Sequence, residues 1–405
     1  MSHHTVRAIP IVLAAVVLSS IAATAHAQGG VPEAVEAMPI HVGPLGLRPS
    51  VSITNVGMDS NVFNDASNPQ EDFTATIVPR LLARVRGGRL VLSYGSSADM
   101  VYFKKFTSER SLNASTDVRL DGTFGRLQPY VSAGWVDTKD RLNAEVDVRT
   151  QRTQRTIAGG ARLLLASRTA VVVSARRFNL DFDDGAQFMG VDLARTLNSR
   201  SDTVDAALQL LLTPLTTFSM TTSIQRDRFA GAPERDSDTL RLLPALQFDP
   251  TSLIRGNIAV GYRRFRPLTP ALPDYSGLLV QAGLGYTLLA RTRFDLDLTR
   301  DVQYSFEDLE PYYLSTGSRL TVTHQLVGPL DLQAFGGRQN LGYRQRQVAR
   351  DVRRDEVDTY GGGAGYRLRD SLRLGVTWET NRRRSVLDER RYERHRIYAS
   401  LTYGS

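Results

Sequence analysis

The sequence has no cysteine. That excludes disulfide stapling, thiolate metal sites and cysteine nucleophiles, and leaves stability to hydrogen bonding and packing. Lysine is almost missing as well: of 50 Lys and Arg residues, only Lys104, Lys105 and Lys139 are lysines. Histidine is scarce, with six in all, and three of these (His3, His4 and His26) lie in the first 27 residues. Beyond those residues no uncharged apolar run approaches the ~20 residues of a spanning helix, and no segment reads as a long amphipathic helix.

The opening MSHHTVRAIPIVLAAVVLSSIAATAHAQGG has a short region carrying Arg7, an apolar run and the small-x-small site Ala25-His26-Ala27. It reads as a secretory signal peptide over 1–27. Residues 28–44 are then expected as a periplasmic segment and 45–405 as the folded body.

What fills the body is alternation. In TRFDLDLTRDVQYSF, starting at Thr292, one parity carries Arg293, Asp295, Asp297, Thr299, Asp301 and Gln303, and the other carries Phe294, Leu296, Leu298, Val302, Tyr304 and Phe306. A period of two is the signature of a strand. The same pattern returns at Phe218 to Asp227, Ile254 to Arg263, Thr203 to Leu212 and Leu372 to Thr380. Short connections (87–88, 125–128, 166–167, 213–214, 249–250, 290–291, 327–329 and 369–370) alternate with longer polar ones (61–71, 107–110, 140–151, 183–198, 231–234, 267–273, 307–310, 348–353 and 387–390). This predicts about eighteen antiparallel strands, with sixteen as the alternative, the first over 45–59 and the last over 392–403.

A soluble two-sheet protein would show the same alternation inside out. Export, long strands and the lack of any continuous apolar block favour an all-β, transmembrane, up-and-down antiparallel barrel in the outer membrane, with both termini on the short-turn, periplasmic side. The mean hydropathy of −0.24 fits, because such a barrel hides only alternate residues in lipid. Tyr286, Tyr304, Phe306, Tyr392, Tyr398 and Tyr403 fall near strand ends, where rings suit the headgroup level.

Candidates for chemistry are few. His324 and His395 are expected on the outward face near opposite rims, and no carboxylate spacing suggests a metal site, so neither catalysis, cofactor nor metal is expected. Gly361 to Tyr366 lacks the helix that a phosphate loop needs, and Gly283, Gly285 and Gly365 read with it as strand kinks or space for neighbouring rings. The polar parity gives lumen-lining candidates of both signs: Arg255, Arg263, Arg293 and Arg373 against Asp295, Asp297, Asp301 and Glu379. Arginine clusters near the long loops (263–266, 344–354, 382–384 and 390–396) suit lipopolysaccharide phosphates, not nucleic acid. The loop 183–198 has two readings: a constriction folded inward, or a cover over the mouth.

The run Val42-Gly43-Pro44-Leu45-Gly46-Leu47-Arg48-Pro49-Ser50 leads into Gly57-Met58-Asp59-Ser60-Asn61-Val62-Phe63. It resembles the opening of an outer-membrane β-barrel porin family often encoded beside exopolysaccharide biosynthesis and export genes. In that family the first strand ends in Asp-x-Asn followed by an aromatic, here Asp59, Asn61 and Phe63, with the asparagine organising the first outer loop. Tyr403 is followed by Gly404-Ser405 where many such barrels end on an aromatic, a difference that bears on recognition by the barrel-assembly machinery. The resemblance implies passage or export of polysaccharide. The expected function is therefore a monomeric channel for hydrophilic solute, with exopolysaccharide export as its specific form. A general or anion-biased diffusion porin and a plugged structural barrel stand as alternatives.

Overall fold

In a computed structural model the described residues are 38–345, 353–369 and 371–404. The expected signal peptide over 1–27, residues 28–37, Arg346, Arg350 and Asp370 lie outside them. The short strand β1 (Ile40–Val42) precedes β2 (Leu45–Asp59), β3 (Asp72–Gly87), β4 (Leu90–Phe103), β5 (Ser111–Gly122), β6 (Leu127–Thr138), β7 (Arg152–Ala166) and β8 (Thr169–Phe182). A hairpin of β9 (Gln187–Phe188) and β10 (Val191–Asp192) and a one-turn helix α1 (Leu193–Leu197) lead to β11 (Ser199–Thr213). Then follow β12 (Thr216–Phe229), β13 (Ser237–Phe248), β14 (Ile254–Pro267), β15 (Tyr275–Leu288) and β16 (Thr292–Tyr304). The last five are β17 (Tyr312–Val327), β18 (Leu330–Arg344), β19 (Arg354–Arg369), β20 (Leu372–Arg384) and β21 (Tyr392–Tyr403).

From β2 onward each long strand pairs antiparallel with the next, β8 pairs with β11, and β21 returns to β2. The result is a closed antiparallel barrel of 18 strands. Closure satisfies the backbone hydrogen bonds of a structure that must cross hydrocarbon. Side chains on the outer parity are apolar and uncovered, for instance Val204, Ile224, Leu320, Val376 and Ile397. The driving force for this face is lipid rather than a protein core.

Closing the ring requires a local irregularity. Pairing of β2 with β21 shifts between Ile53 and Val56, and Asn55 there takes a positive φ of 54°. Just beyond the bulge the two backbones approach so closely at Gly57 that a Cβ would sit on the Ile397 carbonyl oxygen and 2.7 Å from the Tyr398 Cα. Above that point Asp59 accepts two bonds from Arg394 Nε, at 2.8 and 3.0 Å. Asn61, fully buried, donates to the Asp65 carbonyl at 2.8 Å and the Glu393 carbonyl at 3.2 Å, and accepts from Asp65 N at 2.9 Å. The Asp-x-Asn segment thus ties the first loop to the last strand.

A second irregularity lies between β15 and β16. Their ladder ends at Val280↔Arg300, although β15 begins at Tyr275 and β16 runs on to Tyr304. Freed from β15, the top of β16 and the start of β17 lean inward. Val302, Tyr304, Tyr312 and Leu314 then pack near Phe265, which shares the inner parity of β14 with Arg263. Tyr304 and Phe306 are therefore not at the headgroup level: Tyr304 bonds Ser237 Oγ at 2.6 Å and Asp227 Oδ2 at 2.8 Å, and Phe306 is buried. Tyr392 and Tyr398 also share the inner parity, with Arg394 and Thr377 respectively. Of the six rings singled out, Tyr286 and Tyr403 stay outside. The rest of the outer aromatic set comes from other positions, such as Tyr102, Trp135, Tyr262, Tyr366 and Trp378.

Candidate functional site: a charged interior under a loop-closed mouth

Cross-strand register carries the eight charged candidates on one face. One row reads Arg255, Gly285, Asp295, Thr321, Phe335, Gly361 and Glu379 from β14 to β20. Asp297 lies opposite Arg319 in the next row. Arg293 Nε donates to Asp295 Oδ1 at 2.8 Å, both side chains remaining about one-third exposed. Glu379 is engaged by Arg396 and accepts from Asn381 Nδ2 at 2.6 Å. Arg263, only 4% exposed, pairs with Asp301 and stacks over Phe265 at 5.5 Å.

Glycine makes the longest of these pairs possible. Arg373 on β20 reaches across β19 to Asp331 on β18, with Nη2–Oδ1 at 2.6 Å and Nε–Oδ2 at 3.1 Å. It passes over Gly365, where an added Cβ would collide with the Arg373 guanidinium and lie 2.7 Å from Asp331 Oδ1. Gly361 likewise leaves room for the Phe335 ring, 2.6 Å from the place of its missing Cβ. Gly365→Ala is expected to displace Arg373 while leaving the strand pairing intact, because the obstructing atoms are the end of a flexible side chain. The fold should show unchanged heat-modifiable mobility on a denaturing gel. A loss of the folded band would mean that the glycine serves the backbone instead.

The long-loop end is occupied by segments from opposite sides of the ring. Loop 139–151, between β6 and β7, extends to the ends of β16, β18 and β20, half a circumference away, and carries Glu145 and Val146 at 0% exposure. Glu145 Oε1 accepts from Ser305 Oγ at 2.9 Å, and Oε2 accepts from Arg390 Nη2 at 3.1 Å, Arg383 Nη2 at 3.4 Å and the Tyr343 hydroxyl. Arg390 also donates to the Glu145 carbonyl at 2.6 Å. Arg383 is shared with Asp355 (Nε–Oδ2 3.2 Å), which receives Arg353 Nη2 at 3.1 Å. Arg353 in turn pairs with Glu307 at 2.6 Å and Glu310 at 3.0 Å and lies 4.1 Å over the Tyr343 ring. Burial pushes the Glu310 carboxyl above its usual range, against the pull of Gln345 and Arg353. Every buried charge here has a counter-charge and hydrogen bonds, the condition under which such groups are tolerated.

The other loops pack onto this centre. Loop 183–198 folds inward: Leu193 and Leu197 bury against Val146, Phe229 and Phe306, and Phe188 meets Phe306 edge-on at 4.9 Å. Arg390 lies 5.0 Å from the Phe188 ring and 5.5 Å from that of Phe306. Arg235, in the β12–β13 connection, holds the tip of the β16–β17 hairpin by donating to the Glu307 carbonyl at 3.0 Å, the Phe306 carbonyl at 3.3 Å and that of Pro311 at 3.3 Å. Arg141 joins Asp147 at 2.7 Å and the Val62 carbonyl at 2.7 Å, tying loop 139–151 to the first loop as well.

The arginine clusters are thus divided by parity. Arg263, Arg353, Arg383, Arg390, Arg394 and Arg396 make inner or buried ion pairs, which removes them from the rim where lipopolysaccharide contacts are expected; Arg264, Arg266, Arg384 and Arg391 remain exposed. His324 bonds Thr292 Oγ1 at 2.9 Å and His395 bonds Thr380 Oγ1 at 3.0 Å, at opposite ends of the wall. Glu145 carried no motif in the sequence. Its one local signal is Leu142, Val146 and Val148, apolar residues in a connection that would otherwise read as wholly polar.

A closed barrel with an ion-paired interior and inward loops is a porin's architecture, and the sequence agrees. The family model described as "Putative beta-barrel porin 2" matches residues 33–404. The chain belongs to this porin family. It is an outer-membrane β-barrel. Among solved structures it resembles the outer membrane protein opdK from Pseudomonas aeruginosa, at 11% identity and a TM-score of 0.50 over 89% of this chain and 99% of that one. A BenF-like porin from Pseudomonas fluorescens Pf-5 gives 10% identity and a TM-score of 0.50 over 89% and 99%. At such identities the likeness is one of fold. No curated protein matches the sequence.

Proposed function

We propose that the barrel is a gated channel for hydrophilic solutes, without a catalytic step, and that loop 139–151 is its gate. The observation that carries this reading is the combination of a charged inner wall of both signs with a loop anchored at Glu145 on the opposite side of the mouth. Arg255, Arg263, Arg293, Arg373, Asp295, Asp297, Asp301 and Glu379 line the water-filled passage. A wall of paired charges presents alternating donors and acceptors to a polar solute without trapping either ion. The long loops face outward and the short turns face the periplasm, and the barrel works as a monomer inserted by the barrel-assembly machinery into a leaflet of lipopolysaccharide.

Export of polysaccharide is the narrower form of this function, supported by the resemblance of the Asp59-x-Asn61-x-Phe63 opening. A deletion strain that still releases its full extracellular polysaccharide would leave the general channel and remove the exporter. Planar-bilayer recording tests the channel itself. The purified protein should show discrete current steps, and a barrel silent both as wild type and with loop 139–151 shortened would be a structural one. Arg373→Gln leaves Asp331 without its bidentate partner, so the reversal potential in a salt gradient should move toward cation preference. An unchanged reversal potential would place Arg373 and Asp331 off the conduction path.

A further inference from the structure

The outward face of β8 and β11–β14 changes character at one level. Register aligns Ala175, Val204, Ile224 and Leu240 in a single row, with Val204, Ile224 and Leu240 between 46% and 56% exposed. Two residues closer to the long loops, on the same face, the row becomes Arg177, Asp202, Arg226, Asp238 and Arg266. Arg200 and Arg228 lie opposite each other above it, and Arg264 continues the apolar row on β14. Apolar side chains below and guanidinium groups above mark where hydrocarbon gives way to headgroups.

The charges in this band do not balance. Asp202 takes Arg177 at 2.7 Å and Arg200 at 2.6 Å, Asp238 takes Arg228 at 2.8 Å, and Asp274 lies 3.9 Å from Arg266. Arg226 and Arg264 are exposed and, among the described residues, form no ion pair. Far around the ring, on the outward face of β18–β20, Arg338 is paired with Asp358 at 2.6 Å and Arg384 with Glu356 at 3.7 Å, so these two guanidinium groups, unlike Arg226 and Arg264, already have carboxylate partners.

We infer that Arg226 and Arg264, with the row beside them, bind the phosphate of a phosphorylated glycolipid of the outer leaflet, whose acyl chains lie along Val204, Ile224 and Leu240. A free anion would have use for the guanidinium forks but none for the apolar row directly beneath them. A lipid phosphate uses both, since arginine forks match phosphate oxygens and the greasy strip accepts the tails. The inference rests on the orientation proposed above, with the long loops outward, but not on conduction, because neither arginine faces the interior.

The test uses the purified full-length barrel in an uncharged detergent, with diphosphoryl lipid A, dephosphorylated lipid A and inorganic phosphate as probes, read by native mass spectrometry. Lipid A should bind the wild type, and the R226Q/R264Q variant about tenfold more weakly. The R226K/R264K variant should recover most of the affinity, and R338Q/R384Q should lose no more than about twofold. Heat-modifiable gel mobility confirms that each variant folds. Equal binding of dephosphorylated lipid A, full displacement by inorganic phosphate, or equal losses on the two walls would overturn the assignment. A wild type that carries no current while R226Q/R264Q still loses lipid A would count against the channel reading and leave this site standing, whereas loss of current in R226Q/R264Q with lipid binding retained would overturn this site, since it would place the arginines inside.

Discussion

Replacing Glu145 with alanine should open the mouth. The substitution leaves Arg383 and Arg390 buried without the carboxylate they share, and breaking a buried ion pair from one side costs about 3–5 kcal/mol. Asp355 still serves Arg383, and Phe188 and Phe306 still flank Arg390, so part of that cost is recovered. If about 2 kcal/mol remains, the undocked population of loop 139–151 rises about thirtyfold. Two measurements read this. Single-channel current should increase, with fewer closures, and trypsin should cut at Arg141 and Arg149, which are mostly shielded in the docked loop. Glu145→Gln should lie between the two, since it keeps hydrogen-bonding capacity toward Ser305 and Tyr343 and loses only the charge. An alanine variant with wild-type current and the wild-type digest would show that something other than this carboxylate holds the loop.

Gly57→Val should prevent the ring from closing. Unlike at Gly365, the atoms in the way are backbone: the Ile397 carbonyl and the Tyr398 Cα. They cannot step aside without parting β2 from β21, and that pair is the seam on which the other strands depend. Asp59→Ala attacks the same seam from above by stranding Arg394, at a cost of about 3–5 kcal/mol. The valine variant should lose the compact, heat-modifiable form altogether, and Asp59→Ala should lower its unfolding temperature. A folded, fully heat-modifiable Gly57→Val barrel would mean that the bulge at Asn55 has slack to absorb the methyl groups.

The strands were legible because lipid and water impose a period of two that nothing else along the chain contradicts; β2 and β21 begin and end where the alternation does. Parity also separates Arg264 from Arg263, which sequence clustering had merged. Three features were not legible. Tyr304 keeps the apolar phase of β16, and only the end of the ladder with β15 at Arg300 turns it inward. Glu145 gains its role from β18 and β20, strands nearly 200 residues or more further along, and no local pattern encodes that meeting. Asn61 was readable as a turn residue, whereas its bond to the Glu393 carbonyl depends on ring closure.

The small strand β1 has a consequence for how such a molecule avoids its neighbours. β21 covers β2 only from Val51 upward, and β1 pairs with Leu45–Leu47 below it. Without that flap the foot of β2 would offer bare amides and carbonyls as a template for any passing extended chain. The segment leading into the barrel thus doubles as a guard, shielding the lowest rungs of a wall whose last stave stops short.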